Sequence, residues 1–117
     1  MFYKLNDDKS VSICMLIEWG QQICHMKETN TKHVADEEVN GKRISTVWVG
    51  LDQRAPMLGT KIDYKPLVFE TMVFDPPDSG QECYCELYPT WDEAVEGHKK
   101  AIEWVKNGCK DEDAENQ

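Results

Sequence analysis

Residues 33–52, HVADEEVNGKRISTVWVGLD, decide the fold. Asn40-Gly41 sits between two apolar-containing runs, and both residues tolerate the positive φ that a two-residue type I′ turn requires. Such a turn pairs Val39 with Lys42 and Glu38 with Arg43, the latter an opposite-charge cross-strand pair. Continued without interruption, the register sets Val34 opposite Val47 and His33 opposite Trp48. Alternation places Val47, Val49 and Leu51 on one face of the second strand, and Thr46, Trp48, Gly50 and Asp52 on the other. Both faces are largely apolar, which predicts a strand covered on both sides.

Outward from this hairpin, Gln53–Pro66 has two prolines, a glycine and no sustained period, and reads as a long loop. Pro66–Asp75 then reads as a strand, followed by the turn PPDSG and the alternating strand ECYCELY. In PTWDEAVEGHKKAIEWVKNG, Thr90 and Glu93 form a capping box, acids crowd the start, lysines the end, and Asn107-Gly108 supplies the stop. Its apolar face runs Trp91, Ala94, Val95, His98, Ala101, Ile102, Val105. Toward the N-terminus, two short strands flank the polar turn Asn6–Lys9, and Leu16, Trp19, Ile23 and Met26 mark one helix face. KETNTK reads as the loop that follows. The order β-β-α-β-β-β-β-α predicts an α+β domain: an antiparallel sheet of five or six strands with two helices packed on it. The domain is expected over residues 1–108, with an acidic disordered tail at 109–117.

The 117 residues carry 22 acids against 13 Lys and Arg, a net charge of −9. Such a surface repels a phosphate backbone, so direct nucleic-acid binding is not expected, and a basic protein partner is the natural complement. No apolar run is long enough for a membrane span, and the N-terminus lacks the apolar core of a signal peptide. A cytoplasmic location is expected. The five cysteines, at 14, 24, 83, 85 and 109, do not match zinc-knuckle spacing, so reduced, partly buried thiols are expected, with no metal and no cofactor.

Two polar residues stand in apolar surroundings. Glu70 interrupts LVFETMVFD, where pleating puts it with Val68, Met72 and Phe74; His98 lies on the apolar face of the last helix. A desolvated carboxylate needs a partner, which predicts a Glu70–His98 contact. One reading makes Glu70, His98, Asp52, Thr46 and Thr71 a ligand pocket, possessing no nucleophile placed by motif; the other makes them a polar cluster that docks the helix. Trp48, Tyr84 and Tyr88 are expected on one sheet face, either under a helix or as an interface for a partner or a homodimer, with Trp104 on the exposed flank of the last helix.

Three segments also carry a resemblance. Ser45, Thr46, Val47, Gly50, Leu51 and Asp52 match an STV-aromatic-L-G-L-D strand; Phe69–Phe74 match LLFETMVFGG; Thr90, Trp91, Glu93, Ala94, Gly97 and His98 match Y-S-T-W-E-E-A-x-x-G-H. In these the chain resembles a family of small uncharacterised proteins of tailed phages and prophages, over residues 33–105. It departs at Gln53, where the family has His, and at Asp75-Pro76, where the family has Gly-Gly. The resemblance implies expression in a host bacterial cytoplasm and weights the expectation toward a non-enzymatic accessory protein that binds a host protein, a defence component among the candidates. The alternative expectation is a small-ligand or nucleotide-signal binder built on Glu70 and His98.

Overall fold

The structure is a computed structural model, and it describes residues 1–52, 65–78 and 80–109. Six strands and two helices follow in the expected order: β1 (Phe2–Leu5), β2 (Val11–Cys14), α1 (Leu16–Thr29), β3 (His33–Val39), β4 (Lys42–Trp48), β5 (Phe69–Phe74), β6 (Glu82–Tyr88) and α2 (Trp91–Lys106). The strands form two sheets, a β1-β2 hairpin and an antiparallel meander β3-β4-β5-β6. All pairings are antiparallel. The long loop lies outside the described residues except Lys65 and Pro66, and so does the tail beyond Cys109.

The β3–β4 turn forms as its chemistry dictates, with Asn40 at φ 51° and Gly41 at φ 77°. Val39 pairs with Lys42 and Glu38 with Arg43. Further along, a bulge between His33 and Ala35 shifts the register by one, so His33 rather than Val34 faces Val47. A bulge leaves one residue of a strand unpaired and re-phases what precedes it. Regular β5 is shorter than Pro66–Asp75, because Val68 accepts from both Val49 and Gly50 at 2.8 and 3.2 Å and breaks the ladder there. Gly50 occupies this point at φ 70°, and a Cβ would come within 2.9 Å of the indole nitrogens of both Trp19 and Trp48. Only glycine satisfies both constraints.

Helix α2 crosses all four strands of the meander. Thr90 Oγ1 caps it by accepting from Glu93 N at 3.1 Å, and Cys109 N closes on Trp104 O at 2.9 Å just past its end. Its inner face is Ala94, Gly97, His98, Ala101 and Val105. Small residues let the helix sit close, and Gly97 lies so near Tyr88 that a Cβ would overlap the phenol ring. Ile44, Val73, Ala101 and Val105 form one apolar cluster; Tyr3, Met26, Trp48, Val68, Phe69 and Ala94 form the other. The aromatic face of Trp48, Tyr84 and Tyr88 is therefore covered by a helix, and Trp104 packs on Tyr84 at 4.9 Å between ring centroids. Helix α1 runs through Lys27–Thr29, which had read as loop, and ends at Asn30 in the left-handed conformation. Its face is Trp19, Ile23 and Met26; Leu16 is exposed.

Candidate functional site

Register places the polar residues on opposite faces of the meander. Thr46 pairs with Thr71, and Ile44 with both Glu37 and Val73, all on the α2 side. Val47 pairs with Glu70, and Glu70 with Leu87, on the other side. His98 on α2 consequently never meets Glu70. Its Nε2 lies 2.7 Å from Glu37 Oε1, its Nδ1 2.7 Å from Thr46 Oγ1, and Thr46 Oγ1 lies 2.5 Å from Thr71 Oγ1. An ionised carboxylate only accepts, so Nε2 bears a proton and donates to Glu37. In the neutral ring Nδ1 then accepts from Thr46, which accepts from Thr71.

This chain of groups has the Glu–His–hydroxyl order of a nucleophile triad, but its geometry serves packing. Thr46 and Thr71 are wholly buried and His98 is 4 % exposed, while Glu37 reaches solvent. A substrate carbonyl has no approach to Thr46, whose hydroxyl is occupied on both sides. The network instead ties α2 to β3, β4 and β5, satisfying buried polar groups whose desolvation would otherwise oppose docking. Glu37 was missed from sequence. The signal was present: the Asn-Gly register sets it opposite Ile44, on the helix-facing side.

Asp52 is also buried, but stands at the end of the meander, where Oδ2 accepts Leu67 N–H at 3.1 Å and its own N–H meets Met1 O at 3.4 Å. The single pocket of Glu70, His98, Asp52, Thr46 and Thr71 is thus replaced by three separate places. Trp48 lies in the core against Phe69, and its indole N–H has no hydrogen-bond partner among the described residues.

No helix or strand among the described residues packs over the second face of the meander, so among those residues β4 is covered on one side only. This face presents Val47, Met72, Phe74 and Leu87 around Glu70, each half-buried or exposed. Cys85 donates to Glu70 Oε2 at 3.8 Å, and its thiol is pushed up to about 11 by burial and then by Glu70 and Glu82. The cations nearby are engaged: Arg43 holds Asp36 with two hydrogen bonds at 2.9 and 2.8 Å, and Lys42 lies 3.5 Å from Asp75. Arg43 in turn holds the Asp36 carboxyl below the ordinary range.

The five cysteines are free, with Cys24, Cys83 and Cys85 exposed and Cys14 and Cys109 half-buried. No group of three or more His, Cys, Asp or Glu among the described residues is arranged to hold a metal. No described helix is long and apolar enough to cross a membrane. A cleft of about 730 Å³ opens between the β1–β2 turn and the start of α2, lined by Tyr3, Lys9, Lys65, Pro66 and Trp91 among others. Lys9 Nζ lies over the Trp91 ring, 4.4 Å from its centroid. Comparison with protein-family models, curated proteins and solved structures returns no match for this chain.

Proposed function

We propose that this is a phage-encoded, non-enzymatic accessory protein of the bacterial cytoplasm that binds and modulates a host protein, a defence component being one such target. The observation that carries the reading is the face of the meander that no described helix or strand covers, where Val47, Met72, Phe74 and Leu87 surround the Glu70 carboxylate. With Arg43 and Lys42 already paired, Glu70 meets the Cys85 thiol alone among the described residues. The complementary surface is apolar with a Lys or Arg at its centre, which also suits a chain of net charge −9. The three motif segments supply β4, β5 and the start of α2, the elements that build and hold this face. The test is capture from host lysate by wild type and by Met72→Glu, with circular dichroism confirming that both are folded. A partner retained by wild type and lost with Met72→Glu supports the reading. Capture of nothing, or capture indifferent to Met72→Glu, overturns it.

One observation favours a small ligand instead: the cleft beside Trp91 and Lys9, large enough for a drug-sized molecule. Nucleotides that raise the melting temperature and quench Trp91 fluorescence would move the reading there. The earlier basis for this alternative, Glu70 beside His98, is removed by their placement on opposite faces.

A further inference from the structure

We infer that the outer edge of β2 is a self-association surface, pairing antiparallel with β2 of a second copy. In the hairpin, Asn6 N donates to Ser10 O at 2.9 Å, and the register continues as Leu5–Val11, Lys4–Ser12, Tyr3–Ile13, Phe2–Cys14. Antiparallel pairs alternate between bonded and non-bonded. Lys4–Ser12 and Phe2–Cys14 are thus the bonded pairs, and the N–H and C=O groups of residues 3, 5, 11 and 13 point outward. On β1 three of the four have partners: Tyr3 N donates to Gly50 O at 2.8 Å, and the Gln22 amide bonds both Leu5 N and Leu5 O. On β2 no described residue takes those of Val11 and Ile13.

The other open edges are guarded by charge. Asp36, Glu37 and Glu38 lie on β3, and Glu82 and Glu86 on β6. Acidic residues along an edge deter pairing. Residues 11–17, VSICMLI, carry no charge at all. Ile13, Met15, Leu16 and Ile17 are 57–74 % exposed, four of the six most exposed large apolar residues described. In a chain of net charge −9, this neutral edge is where two copies meet without bringing acids together. Lys4 on β1 and Glu18 on α1, the elements beside this strand, pair with each other at 4.0 Å, so neither sets an unpaired charge against it. A two-fold axis also makes the hydrogen bonds reciprocal, each β2 supplying the extended, uncharged strand the other lacks. The product is a four-stranded sheet β1-β2-β2-β1 with Ile13, Met15, Leu16 and Ile17 at the seam. It uses none of the residues of the bare meander face and stands independently of the host-partner reading.

The experiment is light-scattering mass of the full chain under reducing conditions from about 1 µM to about 1 mM, since assembly follows mass action. Wild type is expected to reach twice the chain mass, and Ile13→Lys to remain at one chain mass with an unchanged melt. Should Ile13→Lys perturb the fold, Ile17→Lys on the solvent side of α1 serves in its place. Hydrogen exchange of wild type gives a second readout: the Val11 and Ile13 amides slow by about tenfold or more with concentration. A monomer at every concentration overturns the inference. So does a dimer that survives both lysine variants, or one that Phe74→Lys dissociates instead.

Discussion

Replacing Thr46 by Val keeps the side-chain shape and removes one hydroxyl, stranding His98 Nδ1 and the Thr71 hydroxyl in a site sealed from solvent. The expected loss is about 1–3 kcal/mol in urea unfolding. Combining it with Thr71→Val and His98→Leu should cost less than the sum of the three single changes, because no buried polar group is then stranded and Glu37 reaches solvent. On the second face of the meander, Cys85 is exposed, yet its alkylation should be slow. With its thiol near 11, the thiolate at pH 8 falls about two orders of magnitude below that of an ordinary cysteine, and alkylation about one order after allowing for greater nucleophilicity. Glu70→Gln should shift the alkylation–pH profile of Cys85 downward, read by peptide mass spectrometry. The need of His98 for a carboxylate was legible in the sequence; its partner was legible only through the hairpin register and was passed over. Glu70 stood out because it interrupts an apolar run, whereas Glu37 sits inside an acidic triplet that reads as solvated edge. Only cross-strand register separates the two.

At the level of elements, α2 and the Asn40-Gly41 turn were legible because each is fixed by a few neighbouring residues: a cap, a stop, two positive-φ positions. The bulge near Val34 was not, since it answers to how β3 must bend rather than to a turn residue. The same hairpin carries a pH response. Asp36 has its folded pKa lowered mainly by the Arg43 hydrogen bonds, so the folded chain binds this proton less readily than the unfolded one. Its stabilisation is present above the unfolded value of about 3.9 and is lost as pH falls through the lower folded value. Asp36→Asn should therefore flatten the acid limb of a melting-temperature profile, modestly, because the pair is partly exposed. The α2–β6 contact gives a sharper expectation. Gly97→Ala improves helix propensity by about 1 kcal/mol but drives a methyl into Tyr88, and overpacking costs about 1–3 kcal/mol. A net fall in melting temperature, relieved by Tyr88→Ala in the double variant, would identify the close approach as the cause.

For the whole molecule, six strands and their order were readable, but their division into two sheets was not. The split depends on Gly50, where positive φ and the crowding of Trp19 and Trp48 turn the chain out of β4 toward β1. A strand-forming pattern reports the faces of a strand, not which neighbour it joins. The division leaves one more feature to consider, the bond between Asp52 and the Leu67 amide. Through it the residue that closes the extension of β4 holds the residue that leads into β5, fifteen positions further along the chain. Doubling the length of such an interval costs only about 0.6 kcal/mol of closure entropy. Asp52→Ala frees both ends of that interval at once and should lower the melting temperature, read by circular dichroism. One carboxylate thus acts as the clasp between two strands that the sequence sets far apart.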